Sequence, residues 1–107
     1  MAFQFTDANV DEIIASGKPV MIDCWATWCG PCMAMTPIVD ALAEEYKDKV
    51  VIGKYNVDEN NDLSMKYRIM SIPMFLFFKD GKKQDIRLVG SQTRETLVEK
   101  IEQLLGK

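Results

Sequence analysis

The sequence contains no histidine. That absence removes the Ser-His-Asp triad, the Cys-His nucleophile pair, and every zinc, copper or haem site that needs an imidazole ligand. Cysteine is scarce. Cys24, Cys29 and Cys32 are the whole set, and an odd number does not make the disulfide framework of a small secreted scaffold. Basic residues are in the minority, with 13 Lys and Arg against 16 Asp and Glu. Binding to nucleic acid or to an anionic membrane needs a basic surface, so neither is expected as a partner. Long hydrophobic runs are missing as well: the longest, residues 74–78, is far below a membrane span. The first ten residues carry Asp7 and no basic stretch, so they do not read as a secretory leader and the expected location is cytoplasmic. Chemistry must then come from Cys, carboxylates, Lys, Tyr or backbone.

What is present is an ordinary globular mixture over 107 residues, one domain's worth, so residues 1–107 are read as a single domain. No linker, repeat or low-complexity segment interrupts it. Thr6 can cap a helix over residues 7–15 that Gly17 ends. Residues 20–26 read as a buried strand broken only by Asp23. Residues 31–46 carry Ile38, Leu42 and Tyr46 four apart, a helical spacing, and residues 50–57 are a second β-rich run. A short helix is expected over 60–67. Strands over 74–79 and 85–89 flank Asp80-Gly81, a strong hairpin signal. After Thr93, the residues Leu97, Val98, Ile101, Leu104 and Leu105 form one apolar stripe at helical period. Helix and strand alternate early and the hairpin comes late. The fold class is therefore α/β, with a central mixed β-sheet, parallel early and antiparallel at the end, flanked by helices on both faces.

The chemistry centres on Trp28-Cys29-Gly30-Pro31-Cys32, between a buried strand and a helix. Two Cys at i and i+3 on a first helical turn lie roughly 5 Å apart, within the span a disulfide tolerates. Cys29 falls at the helix N-terminus, where unpaired amides and the helix dipole favour an anion. Its thiol should titrate lower than an ordinary one, which makes it the nucleophile. Cys32, one turn inside, should be shielded. Pro31 is tolerated in the first turn and stiffens the loop, and Gly30 removes bulk beside the attacking sulfur. A structural zinc site would need four ligands, and only Cys24 remains. Asp23 interrupts an apolar strand. A buried carboxylate has a raised pKa, so Asp23 is either a satisfied core residue or a base able to take the proton of Cys32.

The stretch from Asp23 to Cys32 resembles the active-site segment of the thioredoxin family. The likeness runs over essentially the whole chain. It takes in Pro37, Lys54 and Asp58 on the next strand, Ile72-Pro73, the Phe78-Lys79-Asp80-Gly81 turn and Val89-Gly90. The resemblance implies a thioredoxin fold, protein-disulfide reductase activity, and no cofactor beyond the Cys29–Cys32 disulfide. Its electrons would come from NADPH through thioredoxin reductase. The implied partners are that reductase and disulfide-containing proteins, met by a monomer. It also implies that Asp23 assists Cys32 and that Lys54, otherwise a surface lysine, tunes Asp23. Pro73 is either a plain strand start or a cis-proline; the resemblance favours cis, with Ile72 offering backbone to an extended substrate. Gly90 would line the same groove, and Trp28 would offer it a flat contact or else be an ordinary buried Trp.

The chain departs from the family pattern at several positions. Met33 stands where Lys is common after the second Cys, and Met74 where Thr is common after the proline. Met35 and Met74 are read as core filling. Met33 and Met70 are read as an adaptable apolar docking surface. Cys24 replaces a large apolar residue. Strand alternation turns it away from Asp23, so a buried, inert thiol is expected. Three other readings stay open: a disulfide oxidant or isomerase, a non-catalytic subunit of an assembly, and an iron–sulfur or zinc carrier bridging two chains.

Overall fold

The structure, a computed structural model, describes residues 2–106; Met1 and Lys107, the two ends of the expected domain, lie outside the described residues. Nine elements follow in order. They are β1 (Phe3–Phe5), α1 (Val10–Ala15), β2 (Val20–Trp25), α2 (Gly30–Glu45), β3 (Val51–Asn56), α3 (Asp62–Tyr67), β4 (Met74–Lys79), β5 (Lys82–Val89) and α4 (Arg94–Leu104). The strands form one sheet in the order β1-β3-β2-β4-β5. β3 pairs in parallel with β1 and β2, and β4 pairs antiparallel with β2 and β5. The expected mixed sheet, parallel early and antiparallel late, is what forms.

Period-two alternation sorts the core into two layers. Met21, Ile52, Phe75 and Phe77 face α2 and α4, which supply Met35, Val39, Leu42, Leu97, Ile101 and Leu104. Val20, Ile22, Cys24, Tyr55, Leu76 and Phe78 face the other way, against Val10 of α1 and Leu63 of α3. The α4 stripe packs as its spacing demands, and Thr93 caps that helix by accepting a bond from the Thr96 N–H at 3.1 Å. Such a cap contributes about 1 kcal/mol. No helix among the described residues is long and apolar enough to cross a membrane.

Three local expectations differ from the structure. The helix placed over 7–15 begins only at Val10. Thr6 is not its cap: residues 6–9 form a turn in which the Thr6 carbonyl accepts from the N–H groups of Asn9 and Val10. Asp7 is used elsewhere. Its carboxylate accepts from the Tyr55 hydroxyl at 2.6 Å and from the N–H groups of Asn61 and Asp62, so a residue 54 positions away serves as the cap of α3. Strand β1 was not expected, because three residues carry too little alternation to signal one; its pairing with β3 makes it. β5 starts at Lys82 rather than 85. Asp80 and Gly81 both take positive φ (58° and 79°), and a two-residue turn of that hand pairs Lys79 directly with Lys82.

Candidate active site

β2 delivers its chain end into the loop that opens α2. The Cys29 N–H bonds the Ala26 carbonyl at 3.2 Å, and Cys29 then takes extended backbone as the N-cap of the helix. Pro31 sits in the first turn, where its missing N–H leaves nothing unpaired. The turn brings the Cα atoms of Cys29 and Cys32 to 5.2 Å, and the two are joined as a disulfide. Cys32 is fully buried and Cys29 is 6% exposed, so the sulfur at the helix mouth is the more accessible one. Cys29 Sγ accepts the Cys32 N–H at 3.1 Å. The same amide and the dipole of a 16-residue helix would stabilise a thiolate there.

Asp23, on β2 ahead of the active-site loop, is wholly buried, with no hydrogen-bond partner on either oxygen. Burial pushes its carboxyl up to about 7, against the opposing pull of the Lys54 charge. Parallel pairing sets Lys54 beside Asp23 across β2 and β3. The Lys54 ammonium is nevertheless turned elsewhere: it donates to Thr36 Oγ1 at 2.7 Å and lies 3.9 Å from the centre of the Trp25 ring. Lys54 is therefore a buried residue and not a surface lysine.

In front of the pair the Ile72–Pro73 bond is cis, and the Ile72 carbonyl oxygen stands 3.9 Å from Cys29 Sγ. Gly90 donates its N–H to the Pro73 carbonyl at 2.7 Å and has φ of +87°. A Cβ there would meet nothing within 4 Å, so the glycine serves the backbone turn and leaves open space. The same holds for the space at Gly30 beside the disulfide. Trp28 is 70% exposed, and its indole N–H donates to Asp58 at 2.7 Å. Asp58 belongs to the turn after β3 rather than to the strand, whose last residue is Asn56. Met33 and Met70 are exposed, at 46% and 89%, while Met35 and Met74 are in the core.

Cys24 is free and buried in the layer opposite Asp23. Burial first, and the Asp23 charge second, push its thiol far above the ordinary range. Burial favours the protonated thiol over the reactive thiolate. Two residues of the site escaped the sequence reading. Asp58 was noted only as part of a likeness, and nothing in its spacing points to an indole. Thr36 was missed although it stands four residues after Cys32, which puts it on the same helical face.

The chemistry open to this pair of sulfurs is the exchange of their mutual bond for a bond to sulfur in another molecule. The class is thiol–disulfide oxidoreductase, and no prosthetic group is required because the electrons reside in the sulfurs. Comparison with known proteins narrows the class. The thioredoxin family model matches residues 1–103. The chain is 43% identical over 105 residues to a thioredoxin of Chlorobaculum thiosulfatiphilum, covering 97% of this chain and 96% of that one. It is 46% identical over 100 residues to a thioredoxin of Staphylococcus saprophyticus, covering 94% of each. A chloroplastic M-type thioredoxin of Pisum sativum is 45% identical over 100 residues, which are 92% of this chain and 58% of that protein. The chain belongs to the thioredoxin family, and its Cys29–Cys32 couple is that of a protein-disulfide reductase.

Proposed function

We propose that this single-domain chain acts as a monomeric cytoplasmic electron carrier that reduces disulfides in other proteins and is itself restored by NADPH through a thioredoxin reductase. The observation that carries the reading is the sulfur of Cys29 held at the mouth of α2, within reach of the Ile72 carbonyl edge. Its neighbours take the following roles. Cys29 thiolate attacks one sulfur of a substrate disulfide and expels the other as a thiolate, giving a mixed disulfide. Asp23 accepts the Cys32 proton, directly or through a water. Cys32 then attacks Cys29 Sγ, the second substrate thiolate leaves, and the Cys29–Cys32 bond closes. Two electrons have passed to the substrate.

Gly30 and Pro31 keep the loop slim and stiff around the attacking sulfur. Lys54 tunes Asp23. Ile72 and Pro73 offer an extended substrate segment a backbone edge, Gly90 leaves room for it, and Trp28 provides a flat contact. Met33 sits beside Cys32, and Met70 two residues before Ile72. Both are solvent-exposed thioethers able to adapt to varied apolar surfaces, which supports a preference for apolar or partly unfolded segments.

Bacterial relatives of similar identity support the cytoplasmic setting, and a chloroplastic relative stands beside them. The test is insulin-disulfide reduction, first driven by dithiothreitol and then by NADPH with a thioredoxin reductase. Turnover in both is expected. Failure in both would remove the reductase role, and failure in the second alone would remove the recycling partner. A reduction potential of about -120 to -180 mV, the range of dithiols that oxidise or isomerise, would overturn the reductive direction.

A further inference from the structure

Asp23 and Lys54 are paired across neighbouring parallel strands, so their side chains leave the sheet on the same face. An ammonium on a four-carbon stem beside a buried carboxylate has every reason to bond it. It does not: both Asp23 oxygens are without a hydrogen bond, while the ammonium is taken by the Thr36 hydroxyl and the Trp25 ring. Thr36 lies one helical turn beyond Cys32 on α2, so the helix that carries the resolving sulfur also carries the group that captures the lysine.

We propose that Thr36 is a positioning residue for the resolving step: its hydroxyl anchors the Lys54 ammonium against Trp25 and off the Asp23 carboxylate, which stays free to receive the Cys32 proton. The proposal rests on the reading of Asp23 as proton acceptor. Strand pairing sets Lys54 of β3 and Phe75 of β4 beside Asp23, and Lys54 is the charge that acts on its carboxyl. α4 turns Leu97, Ile101 and Leu104 into this layer, and Cys24 on β2 itself points to the opposite one. Lys54 is thus the cation whose position governs the base. Bonded directly, it would stabilise the carboxylate and weaken it as an acceptor. Held by Thr36 instead, it steadies the charge without bonding the carboxylate.

The experiment compares Thr36→Val, which has nearly the same shape and lacks the oxygen, with Thr36→Ser, which keeps it. The Asp23 carboxyl is titrated by carbon-13 NMR in the reduced full-length protein. Thr36→Val should lower its midpoint by about one pH unit, and Thr36→Ser should retain the parental value. In a Lys54→Met background Thr36→Val should produce no shift, because the cation it controls is gone. The second readout is release of thionitrobenzoate from its mixed disulfide with Cys29, followed by stopped flow across pH. In Thr36→Val the inflection of that profile should move down with the carboxyl midpoint. Its plateau should fall roughly threefold, for a Brønsted coefficient of about one half. An unmoved Asp23 midpoint, no restoration by Ser, or a shift that persists without Lys54 would overturn the role of Thr36. Parental release by Asp23→Asn would instead overturn Asp23 as the acceptor, whatever Thr36 does to its titration, and would end the mechanistic proposal on that separate ground.

Discussion

Replacing Asp23 by Asn should remove a pH dependence that one buried carboxyl imposes on the stability of the whole chain. Burial lifts this group from the ordinary 3.8 to about 7 in the folded state. The folded protein therefore holds the proton more tightly than the unfolded chain. The stabilisation is complete only well below the unfolded value of 3.8, where both states are protonated. It drains away as pH rises toward 7, because the unfolded chain ionises freely and the folded one cannot. Three pH units at about 1.36 kcal/mol each give a loss of about 4 kcal/mol between pH 4 and pH 8.5. The Asn amide carries its own cost for unpaired burial, on the order of 1–3 kcal/mol, but that cost does not change with pH. The informative quantity is therefore the stability of Asp23→Asn minus that of the parent, followed along the pH axis. In guanidinium unfolding of the oxidised proteins the midpoint of Asp23→Asn minus that of the parent should be about 1 M more positive at pH 8.5 than at pH 4, for a slope of roughly 4 kcal/mol per M. Groups that titrate alike in both proteins cancel in this difference, and with no histidine in the chain few others titrate near pH 7. A difference that stays flat across this range would refute the reasoning, since it would mean that Asp23 is not desolvated in the folded protein.

Cys32→Ser should stall after the first exchange. A covalent adduct between Cys29 and substrate should accumulate on non-reducing gels and by mass, with turnover down by about 100-fold or more; ordinary turnover would remove Cys32 as the resolving sulfur. Met70→Lys should raise KM several-fold for protein substrates presenting apolar segments and leave dithiothreitol reduction of the Cys29–Cys32 bond unchanged. Unchanged kinetics across several protein substrates would count against a methionine docking surface. Gly53→Ala should destabilise by about 1–3 kcal/mol through overpacking. A Cβ at that position would lie 2.5 Å from both the Phe3 carbonyl oxygen and the Phe5 ring. An unaltered melting temperature would show that β1 yields without cost.

The elements that read most clearly from the chain are those whose signal is local. α4 announces itself by five apolar residues on one stripe, which pack as expected, and the structure adds Thr93 as its cap. The β4–β5 hairpin follows from Asp80-Gly81, because few residue pairs accept two positive φ values in succession. The start of α1 was misread for the opposite reason. Thr6 and Asp7 look like helix-opening residues, yet Thr6 closes a turn and the Asp7 carboxylate is spent on Tyr55 and on α3, partners 48 to 55 positions away. β1 has no signal of its own, since its edge exists only where β3 offers Gly53 for close approach.

The dithiol was fixed by spacing alone: two cysteines three apart, with a proline between them at the opening of a helix, can close on each other whatever surrounds them. The burial of Cys24 on the face opposite Asp23 also follows from its strand register. The tertiary structure decided the surroundings. No window of sequence shows that the Lys54 ammonium would be bound by Thr36 and Trp25 while the Asp23 carboxyl beside it stays unpaired. Likewise the carbonyl of Ile72 reaches Cys29 across 43 residues because β4 runs antiparallel to β2 and starts where β2 ends. Covalent reach is a property of neighbouring residues, whereas the strength of a base and the shape of a groove are set by what the fold packs around them.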